Sequence, residues 1–322
     1  MLVSDILQTW LRSGACAVLD GISLLPRVVG ADQSVPVVIE SEEGVAYALV
    51  DDCQQGWILK KFLPGQAPAR AYTDAVQRLI PRAPGFNSGF NRRILSHSSV
   101  SPTGYCSDEF KSWIDGTILM PQVTGPTWTE FANVIRHEAG VLLQIQRLSL
   151  CLKLSVMVDC LEAMGLAHRD LSSNNVLVDP ENTELHLVDW DNLYHATLPM
   201  PSNSAFGTNG YLAPFRMEDE PDMNSFVWEE RADRFALAVL NSEFLAIQTG
   251  SACVEDGGLL QQNDIDNRDG PTLHDVRKTL RESFPEALAL LDQALNASSF
   301  ARCPGPIDWM RFAVTSLSNR VW

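Results

Sequence analysis

Two carboxylates and an amide crowd into LAHRDLSSNNVLVDPENTELHLVDWDN, from Leu166 to Asn192. Asp170 and Asn175 occupy a charged, amide-rich stretch between apolar runs, and Asp189 follows the second run. VLVD and LHLVD read as short strands joined by the turn Pro180-Glu181-Asn182-Thr183, a hairpin that would bring the three side chains together. Such a set suits phosphoryl transfer. One carboxylate can accept a hydroxyl proton while a second carboxylate and an amide oxygen hold hard divalent cations. The bland reading is an ordinary hairpin, because Asp and Asn also favour turns and caps.

His168-Arg169-Asp170-Leu171, with Asn175 five positions after Asp170, resembles the H-R-D-L-x-x-x-N loop of protein kinases, and Asp189-Trp190-Asp191 stands where D-F-G belongs. Phe206-Gly207-Thr208-Asn209-Gly210-Tyr211-Leu212-Ala213-Pro214 resembles the end of a kinase activation segment. The family resembled is the eukaryotic-like Ser/Thr protein kinases. The resemblance implies Asp170 as catalytic base, Asn175 and Asp189 as ligands of Mg²⁺ (or Mn²⁺), ATP as donor and a protein as acceptor. Thr208 suggests Ser/Thr specificity, and Asp233 resembles the buried Asp that takes hydrogen bonds from catalytic-loop amides. Arg169, counted with the catalytic residues, implies control by phosphorylation at Thr197, Ser202 or Ser204.

Upstream, Trp57-Ile58-Leu59-Lys60 resembles the V-A-I-K strand, sixteen residues after Gly44, which makes Lys60 the candidate phosphate ligand. Lys61 would point to the opposite face. Leu119-Met120-Pro121-Gln122-Val123 resembles the gatekeeper and hinge, so adenine would lie beside Ala46 and Met120 and bond to the Pro121 carbonyl and the Val123 amide. Several positions depart from the family. Of the glycine loop only Gly44 remains, with Ile39 and Ser41 at the earlier glycine positions and Glu42 and Glu43 beside them. Asp74 is the best substitute for the helix Glu that pairs with the strand Lys, with Gln77 a neutral competitor. Ser172 replaces a Lys, Asp191 a Gly and Phe215 the Glu of A-P-E, whose usual partner position holds Arg302. Glu218 or Glu220 could take that lost role.

These residues need a scaffold; the pattern expects an α+β, bilobal protein, and the resemblance implies that its fold is protein-kinase-like. Strand-like runs VPVVIE, VAYALV and WILKKF come first, then one main helix between Pro68 and Pro81, a loop over 81–104 and the strand GTILM. Helical periodicity follows near 147–164, 230–247, 272–296 and 308–317. The expected organisation is an N-terminal extension over 1–36 of unread role, a small β-rich lobe over 37–120 and a larger, mainly helical lobe over 121–322. Lys plus Arg total 24 against 40 Asp plus Glu, a net charge of -16, which argues against nucleic acid or an anionic membrane as partner. No apolar run spans a bilayer and the start does not read as a secretory signal, so the expected location is the cytoplasm. Seven cysteines without a C-x-x-C pair argue against a zinc site or a disulfide framework. Two other readings stay open: a pseudokinase serving as a scaffold, suggested by the lost glycines and helix Glu, and a kinase of small molecules.

Overall fold

The computed structural model describes residues 3–29, 35–40, 44–66, 69–200, 207–217, 228–252 and 258–319. The chain divides into two compact units, Met1–Arg82 with Asn87–Val123, and Ala83–Phe86 with Thr124–Trp322. The first is rich in strands and the second mainly helical, the α+β composition of a kinase-like fold.

In the first unit the order is α1 (Val3–Ser13), β1 (Ala17–Leu19), β2 (Ile22–Pro26), β3 (Val28–Val29), β4 (Val35–Pro36), β5 (Val38–Glu40), β6 (Gly44–Asp51) and β7 (Gly56–Phe62). There follow α2 (Arg70–Leu79), α3 (Asn87–Phe90), β8 (Arg93–Ile94), β9 (Val100–Gly104), α4 (Asp108–Ile114) and β10 (Ile118–Pro121). The main sheet runs β8-β10-β7-β6-β2-β1-β9, and β5 shares the edge of β6 with β2. Asp20 and Gly21 take φ of 46° and 80°, the left-handed pair that a two-residue hairpin turn between β1 and β2 requires. The expected three antiparallel strands are β5, β6 and β7. The stretch over 81–104, expected as loop, holds α3, β8 and β9; these short sequences lack apolar alternation, and β8 and β9 are strands through pairing with β10 and β1.

Register decides which side chains share a face. Ala46 pairs with Lys60 and Lys60 with Ile118, while Ile58 pairs with both Ala48 and Met120, so Ala46, Lys60 and Met120 lie on one face. The opposite face presents Tyr47, Leu49, Trp57, Leu59 and Leu119 to a core completed by Leu7 and Trp10 of α1 and by Phe110, Trp113 and Ile114 of α4. Trp10 is fully buried, its ring 5.1 Å from Phe110 and its Nε1 donating to the Ala15 carbonyl at 2.9 Å. Residues 3–26 therefore build part of this sheet and core. Trp10→Ala should destabilise the protein by about 3–5 kcal/mol in urea titrations, the usual cost of truncating a buried Trp. A loss within about 0.5 kcal/mol, the range of surface substitutions, would mean that α1 packs only loosely.

The second unit contains α5 (Trp128–His137), α6 (Gln144–Ala163), β11 (Leu166–Ala167), β12 (Val176–Asp179), β13 (Glu184–Leu187), β14 (Tyr194–His195), α7 (Arg234–Ala246), α8 (Gln262–Asn267), α9 (Pro271–Ser283), α10 (Pro285–Leu295) and α11 (Pro306–Ser318). The helical pattern over 272–296 is two helices, because Pro285 opens α10 and cannot continue α9. Every residue of α7 from Phe235 to Ala246 is buried, so it forms the axis of the unit, with α6, α9 and α10 packed against it. Among the described residues no helix is long and apolar enough to cross a membrane.

Candidate active site

Two short antiparallel pairings set the site. β12 and β13 form the expected hairpin, with Val176 opposite Leu187, and β11 pairs with β14, with Ala167 opposite Tyr194. The loop of residues 168–175 leaves β11 and enters β12, and residues 188–193 leave β13 and enter β14. Both loops therefore emerge side by side. They are also bonded to each other: the Val188 amide donates to the Asn175 carbonyl at 3.0 Å, and His168 Nε2 meets the Val188 carbonyl at 2.8 Å. A carbonyl can only accept, which places the proton on Nε2. The buried His168 ring packs 4.8 Å from Trp190, which also lies 5.7 Å from Phe86.

Asp233, one residue before α7, accepts the His168 amide at 2.6 Å and the Arg169 amide at 2.7 Å. Arg169 has φ of 68° and Asp189 φ of 61°, left-handed conformations that non-glycine residues hold only when their surroundings impose them. Asp233 supplies that restraint at Arg169. The carboxyl is 2 % exposed and burial pushes its pKa up, while the two amides favour the anion. Asp233→Ala should strand both buried amides at about 1–3 kcal/mol each. A fall in melting temperature of several degrees is expected, and an unchanged melt would remove the brace from the account.

The brace aims Asp170. Its Oδ2 accepts from Asn175 Nδ2 at 2.9 Å and its Oδ1 from Thr208 Oγ1 at 2.9 Å, while Asn175 Nδ2 also reaches the Asp170 carbonyl at 2.8 Å. With its nitrogen so committed, Asn175 has its side-chain oxygen as the atom that could hold a cation. Asp170 and Asp189 are both half-buried. Gly207, at φ of 106°, carries the chain past Arg169 and Leu212 to place Thr208; a Cβ there would stand 2.9 Å from Leu212 Cδ2.

The structure thus brings together Asp170, Asn175, Asp189, Arg169, Thr208 and Asp233. The other candidates, Lys60, Gly44, Ala46, Met120, Pro121, Val123 and Asp74, lie in the first unit. Lys60 is buried, its Nζ 5.1 Å from the Phe62 ring. Lys61, on the opposite face, donates from Nζ to the carbonyls of Trp113 at 2.6 Å and Asp115 at 3.0 Å, holding the C-terminal end of α4, and burial lowers its pKa. Gly44 has a structural reason to be glycine: a Cβ would meet the Lys61 carbonyl oxygen at 2.3 Å. Met120 and Pro121 close β10 beside β7, Val123 follows two residues on, and Asp74 sits half-buried on α2. Ser41, Glu42, Glu43, Ser202, Ser204, Glu218 and Glu220 lie outside the described residues.

Two departures acquire a physical meaning. Ser172 is fully buried with no hydrogen-bond partner for its hydroxyl among the described residues, so the position that would carry a Lys is turned inward. Phe215, at the position where the family carries a Glu, packs edge-on against Phe300 at 5.0 Å, and Arg302 is exposed. Thr197 is exposed, its hydroxyl 2.7 Å from His195 Nδ1.

Sequence reasoning also missed Glu243. Its Oε2 accepts from Tyr211 Oη at 2.9 Å and Trp128 Nε1 at 3.1 Å, its Oε1 from the Leu259 amide at 2.7 Å, and burial pushes its pKa up to about 7. Tyr211 in turn bonds to Ser173 of the catalytic loop. A lone charge inside the apolar run Phe235 to Ala246 was the available signal.

An α+β fold with this braced, cross-bonded loop pair defines a protein-kinase-like class. No family model matches the chain. Phosphorylase b kinase gamma catalytic chain, liver/testis isoform, of Mus musculus is 28% identical over 162 residues, 47% of this chain and 39% of that protein. The Homo sapiens counterpart gives the same figures. Activin receptor type-1C of Rattus norvegicus is 28% identical over 166 residues, 47% of this chain and 33% of the receptor. The matches thus span less than half the length of these curated relatives. They support kinase-like transferase character at the level of the class.

Proposed function

We propose that the chain is a divergent Ser/Thr protein kinase that transfers the terminal phosphoryl group of ATP to a protein hydroxyl. The observation that carries this reading is the Asp170 carboxylate held between Asn175 and Thr208 on a loop braced by Asp233. Asp170 accepts the hydroxyl proton as attack proceeds, and Thr208 and Asn175 fix its orientation so that no reorganisation is needed at that moment. The donor set fits Mg²⁺, which prefers oxygen ligands and keeps phosphate oxygens and water in its remaining positions. Asn175 through its amide oxygen and Asp189 through its carboxylate would hold it, and the ion when bound neutralises charge on the phosphates. Lys60 would contact the phosphates, and Ala46 and Met120, on the same sheet face, would line the adenine site.

Transfer of label from radiolabelled ATP by wild type and by Asp189→Asn tests the reading. Wild type should label serine or threonine, and the variant should lose about 100-fold or more in rate. Equal labelling by both would refute the metal assignment and with it the mechanism. The inward Ser172 and the missing helix Glu favour a second reading, a pseudokinase scaffold. A melting temperature that does not move at millimolar Mg-ATP would select it, since a ligand bound only to the folded state must stabilise that state.

A further inference from the structure

We infer that Trp228 is a positioning residue for the reaction, holding Arg169 in the place where a phosphate would otherwise hold it, so that the catalytic loop is set without phosphorylation. The inference deepens the kinase reading and rests on it for its kinetic consequences.

Arg169 is 6 % exposed, its guanidinium carbon 4.6 Å from the centroid of the Trp228 ring. Its Nη1 donates to the Asn192 carbonyl at 3.3 Å. Trp228 meets Tyr194 of β14 edge to face at 5.2 Å. One indole therefore joins three stretches: the catalytic loop before Asp170, the chain just after Asp189, and the approach to Asp233 and α7. A phosphorylated side chain in an arginine pocket makes the same kind of link through charge, ordering a segment against the loop. Here the negative face of an aromatic ring supplies the attraction to the cation.

A phosphate would compete poorly for this arginine. It would have to displace the indole from a nearly closed site, and Glu229 and Glu230 follow Trp228 directly, in a chain of net charge -16. The described acceptor, Thr197, is engaged with His195. Misplacing the loop should act on the chemical step, because Asp170 directly follows Arg169, whose own amide is braced on Asp233.

The full chain is used for two measurements. In thermal melts of wild type, Arg169→Ala, Trp228→Ala and the double variant, the double variant should melt about where the less stable single variant does, as expected for groups in direct contact. Additive losses would overturn the inference. In kinetics, phosphatase-treated wild type should keep its kcat, and Trp228→Ala should lose about 10- to 100-fold in kcat with little change in KM for ATP, as for a misplaced catalytic group. Trp228→Phe, which keeps an aromatic face, should recover most of that loss. Abolition of activity by phosphatase, or no recovery with phenylalanine at unchanged melting temperature, would also overturn it. If wild type transfers no phosphate, the kinase reading fails and the melting cycle alone decides whether Trp228 holds Arg169.

Discussion

Asp170→Asn is expected to lower kcat for phosphoryl transfer by about 10²- to 10⁴-fold, the range supplied by a positioned general base. The prediction follows from what the carboxylate does in the folded protein. One oxygen accepts from Thr208 and the other from Asn175, so its orientation is fixed by donors and not by chance. Asparagine preserves the shape and one accepting oxygen. The Thr208 hydroxyl can turn to accept from the new amide, so the loop should survive the exchange. What is lost is the basic site. The melting temperature and its shift on adding Mg-ATP should therefore stay close to wild type, while single-turnover transfer collapses. If transfer by the variant stays within about threefold of wild type, the base is not Asp170; a loss that size lies well below what general-base removal costs.

The part of this site that was legible in the sequence is the part its chemistry restricts. The proposed phosphoryl transfer requires residues of the types of Asp170, Asn175 and Asp189 at such spacings, and the strands that hold them, β12 and β13, adjoin in sequence and pair locally. Asp233 was legible only through resemblance, since a lone Asp before a helix reads as a cap. The rest is set by contacts between distant stretches. Trp10 and Leu7 gave an amphipathic leader, but their partners Phe110, Trp113 and Leu119 lie far along the chain, so nothing local says that α1 completes a core. β9 is a strand because β1 pairs with it, Ala17 opposite Gly104, and its Val-Ser-Pro-Thr-Gly sequence reads as loop. Thr127 and Glu130 form a capping box at the start of α5, a signal present in the sequence yet outside the expected elements. Trp228 carries no sequence signal, since its partners are the side chains of Arg169 and Tyr194, reached only after folding.

Glu243 makes stability depend on pH in a direction opposite to that of a salt-bridged carboxylate. Burial raises its pKa from 4.5 to about 7, so the folded protein holds this proton more tightly than the unfolded chain does. The contribution is fully present below pH 4.5 and is lost as pH rises through about 7. Integrated over that window it amounts to about 3 kcal/mol. Glu243→Gln cannot ionise, so the stability of wild type relative to the variant should be greatest near pH 5 and decline toward pH 8. Urea titrations of both proteins at four or five pH values isolate the difference, because every other titrating group is common to the two. Arg136, which favours the anion, limits the size of the effect, as do the three donors from Tyr211, Trp128 and Leu259. Parallel curves would mean that those donors and Arg136 outweigh burial and that Glu243 is already ionised at pH 5. A declining difference would locate a buried proton one hydrogen bond from Tyr211, which is itself bonded to the loop that carries Asp170.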